Sequence, residues 1–361
     1  MNSPKHKWLT PLIVVAMLLS QHLFMPYSQA NESLVSRLPK AERSVFVLDI
    51  SSSTNVKSNW NKSLRPSIIK KLSGEPFGFP TAKGQKKIKA PVDIFVSSIT
   101  ANSIDAPLFP IITMQDAQKI WGLIDQIGTN PTQKRLEVIT RDIFGGNGAF
   151  TLLSEGFSAQ PISVPTLSNC TLKVVASFSS TMFMRDLSKA EKDRSAKTLC
   201  ELAISISERV KKVDSYFDNP DCGGYNACSD VVGAFLSMSY AAADLYESSP
   251  KSQLCIAIAS DMLNAVPGMK KDSPLNSRKV VENASSISEA KEKGELVAQL
   301  TGISFPKKLP VRVFILGQGS GKNPLSLDKN AMLTAYWQGF LQVAGISKSK
   351  PSPSLDQACS K

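Results

Sequence analysis

Histidine is nearly missing from this 361-residue chain: its two copies, His6 and His22, both fall within the first 30 residues. Those residues read as a targeting segment. Lys5 and Lys7 give a positive start, Leu12 to Leu19 an apolar core, and Ser28-Gln29-Ala30 a small-residue cleavage point. Cleavage after Ala30 leaves no imidazole, which excludes Ser-His-Asp and Cys-His catalysis, His-ligated zinc and imidazole proton shuttling. No Cys-x-x-Cys pair occurs either, so a thioredoxin-type motif and a paired-thiolate zinc knuckle are excluded. Long apolar runs are lacking too. The stretch at 12–19 is short and flanked by Pro11, Gln21 and His22, and no other run reaches the length of a membrane span. The expectation is an exported, periplasmic or secreted protein with no transmembrane segment after signal cleavage.

Acidic charge is sparse in one region. The formal charge of +12 falls to +10 without Lys5 and Lys7, and residues 56–90 hold nine Lys or Arg against the single Glu75. Such a surplus can attract nucleic acid, anionic lipid or an acidic partner, or form a solvated face. No stacking aromatics interleave with Lys83, Lys86, Lys87 and Lys89, so no nucleic-acid site is expected there. These lysines are the candidate basic contact face.

What remains for metals is carboxylate, hydroxyl, carbonyl and thiolate oxygen or sulfur. The oxygen donors suit magnesium, calcium or manganese. Six cysteines in an exported chain permit disulfides, with fifteen pairings open. Cys222 and Cys228, which bracket a Gly-Gly-Tyr-Asn loop, are the best candidate bridge, and Cys255 reads as a buried thiol in an apolar strand.

Strands and helices alternate along the chain. Strands are expected at 45–48, 92–99, 172–178, 253–259 and 311–316, read from β-branched and aromatic runs. Helices are expected near 62–72, 113–127, 133–143, 187–217, 230–246, 284–300 and 328–344. In the longest, Ala196, Leu199, Ala203, Ile206, Val210, Val213 and Phe217 form one apolar stripe. The fold class is therefore α/β, a Rossmann-like doubly wound, mostly parallel sheet flanked by helices. Residues 31–43 read as a linker, 44–345 as one domain with a helical and loop insertion at about 100–170, and 346–361 as a disordered Ser/Pro/Lys-rich tail.

In such sheets ligands bind beyond the carboxyl ends of the strands, at the topological switch point. The run Val45-Phe46-Val47-Leu48-Asp49 stops at a carboxylate, followed by Ser51 and Ser53. This Asp-x-Ser-x-Ser pattern resembles the first loop of the metal-ion-dependent adhesion site of von Willebrand factor type A (VWA) domains. The family's second loop, a Thr before a helix, is matched by Cys228-Ser229-Asp230-Val231, with Ser for Thr. Its third, a strand ending in Ser-Asp-Gly, is matched by Ile258-Ala259-Ser260-Asp261-Met262, with Met for Gly. The resemblance covers roughly residues 44–345. It implies that Ser51, Ser53 and Ser229 supply hydroxyl oxygens to a metal, while Asp49 and Asp261 act mainly through water. Magnesium fits such a set, with manganese or calcium as substitutes. One position stays open for the Asp or Glu of a protein partner. Asp230 reads either as a further ligand or as a first-turn acid favoured by the helix dipole. Asp49 and the serines could equally be turn and capping residues, and Ser229 an N-cap.

Other chemistries fit less well. Asp49-Ile50-Ser51 lacks the Gly and the second copy of an aspartic protease, and Ser51 stands where a haloacid-dehalogenase-type phosphatase needs Asp. Gly317-Gln318-Gly319-Ser320-Gly321-Lys322 lacks the first Gly and the last hydroxyl of a phosphate loop. With no nucleophile–base pair visible, a non-enzymatic binding role is expected. The alternative is a scaffold with a degenerate, metal-free VWA fold that binds through its basic face 57–89.

Overall fold

The computed structural model describes residues 36, 38–51, 54–72, 74–78, 89–127, 133–145, 148–150, 166–218, 228–248, 252–270, 272–320, 323–346, 349–351 and 358–359. The targeting segment, Ser53, Lys83, Lys86, Lys87 and Cys222 lie outside the described residues.

Six strands form one sheet: β1 (Glu42–Asp49), β2 (Val92–Ile99), β3 (Phe109–Ile112), β4 (Leu254–Ala259), β5 (Val311–Leu316) and β6 (Ser349–Pro351), in the order β3-β2-β1-β4-β5-β6. All neighbours are parallel except β2 and β3. This is the doubly wound order, with an antiparallel edge strand added. The central strands are apolar on both faces because both are covered. Phe46 and Leu48 of β1 point into one core and Val45 and Val47 into the other.

The first core is closed by five helical segments. α1 runs through Val56–Ser58, a π-helical stretch Asn59–Leu64 and Arg65–Lys71, and buries Trp60, Leu64 and Ile68 at four-residue spacing. α2 (Met114–Ile127), α3 (Gln133–Phe144), α4 (Leu167–Phe178) and α5 (Lys189–Asp218) complete it. The α5 stripe is buried as its spacing predicts. Its other contacts are polar: Arg209 makes two hydrogen bonds of 2.9 Å to Asp116 of α2, and Asp214 accepts Trp60 Nε1 at 2.7 Å.

The second core lies under α6 (Val231–Ser248), α7 (Ser277–Asn283), α8 (Ile287–Thr301) and α9 (Leu327–Val343). α8 and α9 approach backbone to backbone. A Cβ on Gly294 would meet the Tyr336 carbonyl oxygen at 1.9 Å, and one on Gly339 the Lys291 carbonyl oxygen at 2.3 Å.

Three expectations need correction. Leu172 to Phe178 is not a strand but the second half of α4. Thr166 caps that helix by accepting the Asn169 N–H, and Cys170, Val174 and Phe178 are buried at four-residue spacing while Leu172 is 68% exposed. The strand on that side of the sheet is instead β3, which carries Pro110. Proline is tolerated there because β3 is an edge strand. Cys255 is not a free thiol: it is bridged to Cys359, while Cys170 is bridged to Cys200. Finally, 346–361 is not simply a disordered tail. It supplies β6, which pairs with β5, and the buried Ala358 beside Cys359. Cys228 is disulfide-bonded, and its candidate partner Cys222 lies outside the described residues.

Candidate functional site

β1 connects outward to β2 and is flanked on its other side by β4, so the switch point lies between the carboxyl ends of β1 and β4. β1 ends at Asp49, and β4 ends one residue before Ser260-Asp261. Asp49 is completely buried. The Ser51 N–H donates to Asp49 Oδ1 at 2.9 Å, and the Ser51 side chain also hydrogen-bonds the carboxylate. Ser260 Oγ donates to Oδ2 at 2.7 Å, and Ser229 Oγ lies 3.3 and 3.2 Å from the two oxygens. Thr54 Oγ1 ties the loop back by donating to the Asp49 carbonyl. Three hydroxyls from three separate loops thus converge on one carboxylate.

Burial pushes the Asp49 pKa up to about 6. The Ser51 and Ser260 hydrogen bonds oppose that rise, the negative charge of Asp261 adds to it, and among the described residues no Lys or Arg takes part. A buried carboxylate without a compensating cation is electrostatically costly.

Ser229 is placed by a short antiparallel bridge in which its N–H and carbonyl exchange 2.9 Å bonds with Ala265. It is not the cap of α6. Asp230 takes that role, accepting the Gly233 N–H at 2.8 Å on Oδ1 and the Ser103 N–H at 3.1 Å on Oδ2. Asp230 therefore faces the helix start and the 103 loop. The geometry agrees with the helix-terminus reading of Asp230 and frees the Ser229 hydroxyl for Asp49.

Asp261 is buried, and its Oδ1 accepts the Leu263 N–H at 3.0 Å, closing a tight turn. Inside that turn Met262 has φ 62°, a left-handed conformation natural to Gly. The turn is pinned on both sides. The Met262 N–H donates to Ser260 Oγ at 2.9 Å, and its carbonyl accepts Trp337 Nε1 at 2.9 Å and Ser277 Oγ at 3.3 Å. The Met262 side chain is fully buried in the second core.

Of the residues singled out from sequence, Asp49, Ser51, Ser229 and Asp261 are brought together, and Ser53 lies outside the described residues. Ser260 is the residue that sequence reasoning quoted within its third motif without giving it a part. Its signal was its place between a buried strand end and Asp261. Among the described residues no group of three or more His, Cys, Asp or Glu forms a metal cluster. The donor set here is two carboxylates plus hydroxyls, the hard-oxygen chemistry that magnesium-class ions accept. Lys89 is exposed at the other end of the sheet, beside the start of β2, away from this site. The loop Gly317 to Ser320 leaves β5 alongside the site, with the Gly319 N–H donating to the Asp261 carbonyl at 2.9 Å.

No family model matches the chain, and no curated protein matches it. Among solved structures, the human COPII-coat protein Sec24c is similar at a TM-score of 0.30 and 9% identity, over 89% of this chain. This chain spans 31% of that protein's length. A likeness at that level carries no argument about family or function. Among the described residues no helix is long and apolar enough to cross a membrane.

Proposed function

We propose that this chain is an exported, VWA-like binding protein that uses a divalent cation, Mg²⁺ by preference, to hold an acidic residue of a protein partner. The observation that carries the reading is the buried Asp49 at the switch point, ringed by the hydroxyls of Ser51, Ser229 and Ser260, with Asp261 beside it and, among the described residues, no basic side chain acting on it. A bound cation would supply the missing positive charge and an electrophilic position for an incoming carboxylate. Asp49, Ser51, Ser53, Ser229 and Asp261 would hold it, with Mn²⁺ or Ca²⁺ as substitutes. Export rests on the pattern of residues 1–30 and agrees with the disulfides.

One observation favours a second reading, a metal-free scaffold binding through the basic region 57–89: Ser229 and Ser260 already satisfy the Asp49 oxygens by hydrogen bonds. The two readings separate cleanly. Calorimetric titration of Mg²⁺ and Mn²⁺ into the purified chain should give a saturable isotherm, weakened at least about tenfold by Asp49→Ala and by Asp261→Ala. Unchanged affinity in both variants removes the metal assignment. Partner capture that survives EDTA and Ser51→Ala, yet weakens steeply with salt, supports the scaffold.

A further inference from the structure

At the opposite end of the sheet from Asp49, a cavity of about 170 Å³ opens between the first core and the disulfide Cys255–Cys359. Its floor follows from the strand register. Ile94, Ser44, Cys255 and Arg312 are successive partners across β2, β1, β4 and β5, so they lie in one row on one face of the sheet. The row has two small members, Ser44 and Cys255, between a large apolar residue and a cation, and that difference in size leaves the space. Phe46, next along β1 on the same face, gives the cavity an apolar wall.

The charge around the cavity is one-sided. Among the described residues, Lys71, Lys89 and Arg312 line it against the single acid Glu42. Arg43 also reaches its rim, but that guanidinium is engaged by Asp93 at 3.6 Å and Asp244 at 3.8 Å. Arg312 differs. Its Nε is buried and has no hydrogen-bond partner among the described residues. Buried N–H groups in folded proteins are almost always paired, and an orphan calls for a ligand or an ordered water. A cavity of comparable volume holds a benzene-sized molecule.

We propose that this cavity is a binding site for small organic anions, with the oxyanion head accepted by Arg312 and a ring-sized apolar body against Phe46 and Ile94. The site is independent of Asp49, from which the length of β1 separates it. The head and the body are matched to different parts of the cavity. Arg312 supplies a charge-assisted donor on the β5 side, while the apolar residues lie on the β1 and β2 side.

The test uses the full disulfide-bonded chain in EDTA, so that a metal at Asp49 plays no part, with benzoate as the probe and benzyl alcohol as its neutral counterpart. Calorimetry should show saturable benzoate binding, with benzyl alcohol at least about tenfold weaker. Arg312→Met should weaken benzoate by a similar factor and leave benzyl alcohol unchanged. Arg312→Lys, which keeps a charge in the strand but loses Nε, should also bind benzoate more weakly, and it serves if the methionine variant does not fold. Absence of saturable benzoate binding, equal binding of the two probes, or wild-type benzoate affinity in either variant would overturn the proposal. The first of these outcomes would mean that Arg312 Nε is satisfied by water alone.

Discussion

At position 262 a fully buried methionine adopts φ 62°, a conformation that costs an L side chain roughly 1–2 kcal/mol. The bonds from Trp337 and Ser277 to its carbonyl, together with the Asp261 turn before it, hold the backbone there. An uncommon ranking follows. Met262→Ala and Met262→Gly both lose the buried side chain, about 2–5 kcal/mol. The glycine variant should nevertheless be the more stable of the two by about 1 kcal/mol, the reverse of the order at ordinary positions. Chemical denaturation of both variants checks this, and an alanine variant at least as stable as the glycine one would refute the strain. At this scale Asp49, Ser229 and Asp261 were legible because each follows or precedes an apolar run that ends abruptly. Ser260 was not. A hydroxyl at a strand end looks the same in sequence whether it caps a turn or, as here, reaches a carboxylate across the neighbouring strand.

Between elements, the tightest fit is α8 on α9. The Cβ that Gly294→Ala would add lies 1.9 Å from a backbone oxygen of Tyr336, so the two helices must separate. The expected cost is about 1–3 kcal/mol, read as a lower denaturation midpoint with an unchanged slope. A neutral substitution would show that the helices are not held at that distance. A second element-level effect concerns β2. Burial raises the pKa of Asp93 above 3.8, and the nearby Arg43 guanidinium opposes that rise only in part. The folded chain therefore keeps the Asp93 proton to higher pH than the unfolded chain. The resulting stability is fully present below about 3.8 and is lost as pH rises through the raised folded value. Urea denaturation across that window should show a decline with rising pH that is reduced in Asp93→Asn. Equal pH profiles for the two chains would contradict the burial argument. Long periodic helices such as α5 were readable because their stripe has one period throughout. α4 was misread because its Lys-Val-Val-Ala segment has strand-like composition, whereas its helical state is set by the Thr166 cap and by packing on α5 through Cys170–Cys200.

Over the whole molecule, the two described disulfides differ in what they enclose. Cys255–Cys359 closes a separation of 104 residues and Cys170–Cys200 one of 30. In the chain-entropy view the longer loop contributes more, about 4–5 kcal/mol against about 3–4. Replacing both cysteines of each pair by alanine and comparing unfolding free energies checks the order. A larger loss from the shorter loop would place the stabilisation in native packing instead. The mostly parallel sheet was readable from the alternation of elements, since a parallel sheet needs helical crossovers, but its strand order was not. The C-terminal segment was not, because its Ser, Pro and Lys composition resembles a linker. Pairing with β5 and the bond to Cys255 determine its placement, and both are properties of the assembled sheet rather than of the local sequence.

The central position of β1 has a kinetic side. Its partner β4 lies more than half the chain away, and the Asp49–Ser260 hydrogen bond spans 211 residues. Chains dominated by such distant pairings search slowly, because the entropy of a large loop must be lost before any contact rewards it. The cluster around Asp49 therefore cannot form before β4 has docked beside β1. Until β4 docks, the three loops that give it its chemistry are distant segments of one chain with no contact to hold them together.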